Sequence, residues 1–186
     1  MREQVVRDIK GEFLDTTFDY LVKHGLENTS IRDLCKDIGI SSGSLYYWFA
    51  GKDDLYINAA KHGLARVAQK LFAHASGGLS NPERFFSSFI NEVSKYKQEL
   101  RLIYQVATSP VYGEAMRESA DNLNGDYEEY IVMIADSIKC KPEDLAPIIF
   151  ICLSIILDYV VWDDYKVTKM QLDYVCKLIT GLVNTI

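Results

Sequence analysis

The 186-residue sequence has four cysteines and three histidines, and no C-x-x-C pair or Cys/His cluster among them. Cys35, Cys140, Cys152 and Cys176 are widely spaced, mostly within apolar runs. This spacing indicates neither a zinc site nor a vicinal redox pair, and the expectation is free buried thiols in a reducing cytosol. Also absent are H-E-x-x-H, G-x-x-x-x-G-K-[ST], G-x-S-x-G and any glycine-rich strand-to-helix turn. No catalytic residue, metal or cofactor is therefore expected. No stretch alternates polar and apolar residues as a strand does, so the fold class is all-α. The uncharged run from Leu145 to Leu157 contains Pro147 and falls short of the ~20 residues a bilayer requires, which makes it a buried helix. The start, MREQVVRDIKGEF, is charged and lacks the apolar core of a secretion signal, so the chain is read as cytoplasmic. Positive charge is scarce: 20 Lys and Arg stand against 26 Asp and Glu, a net charge of −6, which argues against a protein that coats nucleic acid.

What is present centres on Thr29 to Lys52. Ser30 is placed to cap a short helix, with Asp33 three residues on as the acid of a capping box. Ile31, Leu34, Cys35 and Ile38 follow at i, i+3, i+4 and i+7, one apolar stripe over two turns. Gly39 then supplies a left-handed stop, and Ile40 an apolar corner. Ser41 opens a second helix, whose Leu45 and Phe49 turn back to the same core. The pattern is a helix-turn-helix over about residues 30–49. Opposite those anchors, Ser42, Gly43, Ser44, Tyr46 and Tyr47 are small or carry hydroxyls, which suits a helix entering a DNA major groove. Gly51 and Lys52 begin the next helix, so that the ammonium and the backbone N–H groups face one phosphate. In this stretch Arg32, Lys36 and Lys52 outnumber Asp33 and Asp37 by one, whereas residues 1–28 are acidic by two. Few phosphate contacts follow, each contributing about −0.9 to the salt slope.

From about Arg7 to Leu64 the chain resembles the tetracycline-repressor (TetR) family. The run Ile40-Ser41-Ser42-Gly43-Ser44-Leu45-Tyr46-Tyr47-Trp48-Phe49, followed by Gly51-Lys52-Asp53-Asp54-Leu55, is similar to the family's G-V-S-x-G-T-L-Y-x-H-F-x-x-K-x-x-L. Ser42, Trp48 and Ala50 depart from it, standing where lysine, histidine and lysine are frequent. The expected DNA-contacting set is Ser30, Arg32, Ser41, Ser42, Gly43, Ser44, Tyr46, Tyr47 and Lys52; of these the resemblance implies Ser42 and Ser44 at the groove, Tyr46 and Tyr47 at backbone or base, and Lys52 on a phosphate. It also implies a double-stranded operator as partner and a homodimeric repressor. A small-molecule effector would release that repressor from a palindrome.

The expected division is a DNA-binding domain over 4–64 and a helical ligand-binding and dimerisation domain over 65–186, with about nine helices in all. The first helix carries Val6, Ile9, Phe13, Leu14, Phe18 and Leu21 and ends at His24-Gly25. A long helix from Lys52 ends at a joint, Ala75-Ser76-Gly77-Gly78. Asn81-Pro82-Glu83 starts another. A short helix spans Leu100 to Val106, one helix runs from about Gly113 to Ile138 with a kink at Asn124-Gly125, and Pro142 starts the next. Thr168 to Gln171 reads as the capping box of the last. The final two helices are apolar on more than one face and must be covered on every side, which predicts a two-fold dimer through them.

For the effector, the resemblance implies a mainly apolar cavity with a few polar fixers, here Phe89, Tyr104, Tyr127, Asp158 and Trp162. Asp158 interrupts an apolar run, on one stripe with Ser154, Trp162 and Tyr165. A carboxylate among aromatics suits a cationic ligand. The other reading places Asp158 at the dimer seam or in solvent. His62 and His74 lie on the long helix, where each could touch a ligand, although a lone histidine is more often structural. Two rivals remain: a helical ligand-binding protein without specific DNA recognition, and an all-helical enzyme.

Overall fold

Two left-handed glycines punctuate the start of the chain: Gly25 at φ 80° and Gly39 at φ 77°, positions where a side chain would be strained. They close α1 (Arg2–His24) and α2 (Ile31–Ile38), and α3 (Ser42–Trp48) and α4 (Lys52–Ala75) follow. This computed structural model describes residues 2–75, 82–118 and 120–183, with the side chains of 2–9, 44, 75, 82–83, 120–127, 137 and 182–183 outside the description. The expected joint over 76–78, the Asn81 cap and the side chains of Asn124, Tyr127 and Ser44 therefore lie outside the described residues.

Ten helices and no strand occur among the described residues. The remaining six are α5 (Pro82–Lys95), α6 (Lys97–Thr108), α7 (Gly113–Arg117), α8 (Ala120–Ile138), α9 (Pro142–Trp162) and α10 (Tyr165–Val183). The all-helical class stands, and one helix more than nine is present. The expected single helix from Gly113 to Ile138 is two, because α7 ends where the Glu118 N–H bonds the Glu114 carbonyl at 3.0 Å. Met116 and Leu123 are seven residues apart, so the apolar stripe stays in phase across the break and hides it from the sequence. The start of the last helix is also corrected. Asp164, not Thr168, caps α10, its side chain accepting from the Val167 N–H at 3.0 Å. Thr168 is buried one turn further in, its hydroxyl donating to the Asp164 carbonyl.

The helices form two compact units: residues up to 67 together with 98–120, and 68–97 together with 121 onwards. In the first, Phe18, Leu21, Leu34, Leu45, Leu55, Tyr56, Ala59 and Ala60 have no exposed surface. α1 meets α4 at Gly63, where an added Cβ would lie 2.3–2.4 Å from three atoms of the Phe18 ring. Only a bare helix backbone fits there. Gly63→Ala is expected to overpack this contact and lower stability by about 1–3 kcal/mol. Reversible denaturant melts measure it, and an unchanged midpoint would refute the tight contact.

In the second unit α10 packs along α9 and α5. α5 contributes Phe85, Phe86, Ile90 and Val93; α9 contributes Leu145, Ile148, Ile155, Ile156, Tyr159 and Val160; α10 contributes Leu172, Val175, Cys176 and Ile179. Another apolar set on the last two helices stays uncovered: Phe150, Ile151, Leu157, Val161 and Trp162 on α9, and Val167, Met170, Tyr174 and Leu178 on α10. The 21 residues of α9 are long and apolar enough to cross a membrane, by length and composition only, which the uncharged run Leu145–Leu157 alone is not. A third of its most apolar stretch is already buried in the protein.

All four cysteines are free thiols, Cys35 and Cys176 buried and Cys140 and Cys152 partly so. Burial pushes the Cys152 thiol up to about 12 and raises Cys140 as well, which keeps both protonated. No group of three or more metal-ligating side chains occurs among the described residues.

Candidate DNA-reading site

The site begins with a cap. Ser30 accepts the Asp33 N–H at 3.1 Å, and its hydroxyl donates to the Asp33 carboxylate at 2.6 Å. The acid thus pairs with the capping hydroxyl. At the other end of α2 the N–H groups of Gly39 and Ile40 share the Cys35 carbonyl, both at 3.0 Å, which fixes the turn into α3. Leu34 and Leu45 are wholly buried and Phe49 nearly so; together they clamp α3 on its inner side. Phe13 of α1 stacks on Phe49 at 5.8 Å and meets Trp48 at 5.9 Å.

With its inner side fixed, α3 turns the other side to solvent. Tyr47 is 80% exposed and Tyr46 59%, and Ser41, Ser42 and Gly43 are exposed as well. Ser30 and Arg32 stand exposed at the start of α2. Of the nine expected DNA-contacting residues, these seven are thus exposed. Lys52 is half-buried, its ammonium 5.2 Å from the centre of the Tyr56 ring. Reaching a phosphate costs it that contact, roughly 0.5–1 kcal/mol. Ser44 lies on α3, its side chain outside the description. The Ala50 N–H just ahead of α4 is not open to an anion, because the Asp54 carboxylate accepts it at 2.8 Å.

Behind the reading surface lies a set of bonds that sequence reasoning missed. The buried Tyr56 hydroxyl donates to the Thr29 carbonyl at 2.9 Å, tying α4 to the residue ahead of the first cap. Burial, and then the nearby Tyr112, hold this phenol well above its ordinary range, so it stays a donor. Tyr112 in turn donates to Asp53 at 3.2 Å, in the first turn of α4. Arg66 of α4 reaches Asp15 at 2.7 Å and Asp19 at 2.6 Å on α1, and His62 lies 3.3 Å from Asp15. His62 therefore has a structural partner, and so does His74, 3.0 Å from the Ser88 hydroxyl. The available sequence signal was weak: two acids spaced i, i+4 on α1 and two basic residues spaced i, i+4 on α4.

The five pocket candidates are not brought into one described cavity. Phe89 is half-buried, stacked on Phe85 at 5.2 Å and beside His74 at 6.2 Å. Asp158 is exposed and lines an open groove with Phe150, Ile151, Ser154, Ile155 and Gln171, a groove that neither Phe89 nor Trp162 lines. Trp162 is exposed, as is Tyr104, which belongs to the first unit, and the Tyr127 side chain is outside the description.

A short helix capped by serine, a glycine turn, and a second helix with one buried and one bare hydroxyl-rich side define a helix-turn-helix DNA-binding head. Residues 13–59 match the family model "Bacterial regulatory proteins, tetR family". Over this stretch the chain carries a DNA-binding domain of the TetR type. Over 109 residues it is 28% identical to the HTH-type transcriptional repressor AcnR of Corynebacterium glutamicum, covering 55% of this chain and 53% of that one. Over 50 residues it is 38% identical to the HTH-type transcriptional repressor KstR2 of Mycobacterium tuberculosis, covering 27% of this chain and 25% of that one. The chain thus spans about half, or less, of the curated relatives it matches. Its fold is that of a transcriptional regulator from Rhodococcus sp. Rha1, with TM-score 0.57 and 18% identity over 94% of this chain and 96% of that one.

Proposed function

We propose that this chain is a homodimeric transcriptional repressor, cytoplasmic, which holds a palindromic operator and leaves it when a small molecule binds. The observation that carries the reading is α3 itself: a helix buried through Leu45 and Phe49 that shows Tyr46 and Tyr47 to solvent. Two such heads, about 34 Å apart or a multiple of it, would enter major grooves on one side of a duplex. The uncovered apolar rows of α9 and α10 support the dimer, since a two-fold axis lays the same patch against itself. Asp158 lies among those rows, which favours the seam over an effector pocket for this carboxylate. The effector would bind in the second unit, where Phe89 has aromatic neighbours, and would shift the head only by its differential affinity for the two states. The acidic chain, with its few cations at the head, suits specific over general binding.

Selection of bound duplexes from a random library, at near-physiological salt, tests this. Enrichment of a palindrome supports regulator and dimer together. No enrichment, from protein shown to be folded, would move the assignment to a ligand-binding protein without DNA recognition.

A further inference from the structure

We infer that the operator half-site under α3 is read through thymine methyl groups, by the exposed pair Tyr46 and Tyr47, with the bare backbone at Gly43 drawn close against the duplex. This rests on the DNA-reading assignment above and names the chemistry of what is read. The segment Ser42–Trp48, SGSLYYW, contains no Arg, Lys, Asn, Gln, Asp or Glu. Those are the side chains that grip guanine, adenine or cytosine edges; hydroxyls bond either purine or pyrimidine, and apolar contact selects the thymine methyl. The two largest exposed groups on α3 are aromatic rings, 59% and 80% open. Trp48 meets the Tyr47 ring edge-on at 6.0 Å and is itself set against Phe13. The ring of Tyr47 thus has one aromatic neighbour in the head and most of its surface open to a ligand.

Gly43 gives a second, independent indication. Its φ is not in the left-handed region, and a Cβ built on it meets only the Ser41 hydroxyl, at an ordinary 3.7 Å. Nothing among the described residues excludes a methyl there, although glycine is a poorer helix former than alanine. The bare position makes sense as room for a surface approaching from outside. The long donors of the helix-turn-helix, Arg32 and Lys36, are on α2. Any guanine preference should therefore be confined to positions that Arg32→Ala or Lys36→Ala relaxes.

The test uses the full chain and the palindrome selected above. Thymines of the half-site are replaced one at a time by uracil, which keeps the hydrogen-bonding edge and lacks the methyl. Where a methyl is read, affinity should fall about fourfold for each one lost. In Tyr46→Ala/Tyr47→Ala the same replacements should have no effect. Gly43→Ala should raise Tm by about 2–4 °C and weaken operator binding at least about tenfold. A palindrome whose affinity ignores every uracil replacement, with selectivity carried by G·C pairs under α3, overturns this inference and leaves the regulator standing. Gly43→Ala binding as tightly as the parent overturns the close approach. No palindrome at all, from folded protein, overturns the DNA-reading assignment, and this inference falls with it.

Discussion

The double replacement Tyr47→Ala/Lys52→Ala should reduce operator affinity by roughly 10³-fold and leave the fold intact. Each subunit then loses one groove contact and one phosphate contact, and each contact is worth about 1 kcal/mol or somewhat more. The salt slope should fall by about 1.8 across the two subunits, because each phosphate contact contributes about 0.9. Tyr47 is 80% exposed, so its loss opens no cavity. Lys52 gives up its place over Tyr56, a cost of roughly 0.5–1 kcal/mol at most. A fluorescence-anisotropy titration at several salt concentrations reads both quantities. Unchanged affinity and slope would remove α3 and the start of α4 from the DNA interface.

Phe150→Glu should turn a dimer into a monomer at micromolar protein. In the single chain this ring is 51% exposed, so a glutamate there remains in water and folding should be untouched. In a two-fold seam through α9 and α10 the change counts twice, and each carboxylate enters an apolar surface beside Asp158 with no partner. Breaking the balance of a buried charge costs about 3–5 kcal/mol, enough to weaken dimerisation by at least ~10²-fold. Sedimentation velocity reads the assembly, and the selected palindrome should then bind only with half-site affinity. A variant that still sediments as a dimer would place the seam elsewhere and leave the apolar rows of α9 and α10 unexplained.

These two variants probe regions of different legibility. At the head, the Ser30 cap, the Gly39 stop and the buried Leu34, Leu45 and Phe49 were all readable from spacing. The partners of Ser30 and Gly39 lie within four residues, and the resemblance to the TetR family rests on the same run. At the other end the apolar excess of the last two helices was equally plain. Which of its faces would be covered was not, since Ile155 and Ile156 are buried while Phe150 and Ile151 are open. The last helix shows how a local signal misleads when two compete. Thr168 and Gln171 have the spacing of a capping box, but Asp164 comes first and takes the Val167 N–H, so the helix is already running when Thr168 is reached.

The sequence by itself determined the helical class, the helix-turn-helix and the family that its head resembles. It did so because caps, stops and amphipathic stripes are settled by bonds and faces within a turn or two of the chain. Only the tertiary structure decided what holds the head together: Tyr56 on Thr29 across 27 residues, Arg66 on Asp15 across 51, and Tyr112 on Asp53 across 59. It also placed Asp158 on the open apolar side of α9, and showed Gly63 to be required by the Phe18 ring and Gly43 by nothing among the described residues. Each of these depends on which helix faces meet, and that is set by the packing of the whole core. No stretch of a few residues contains it.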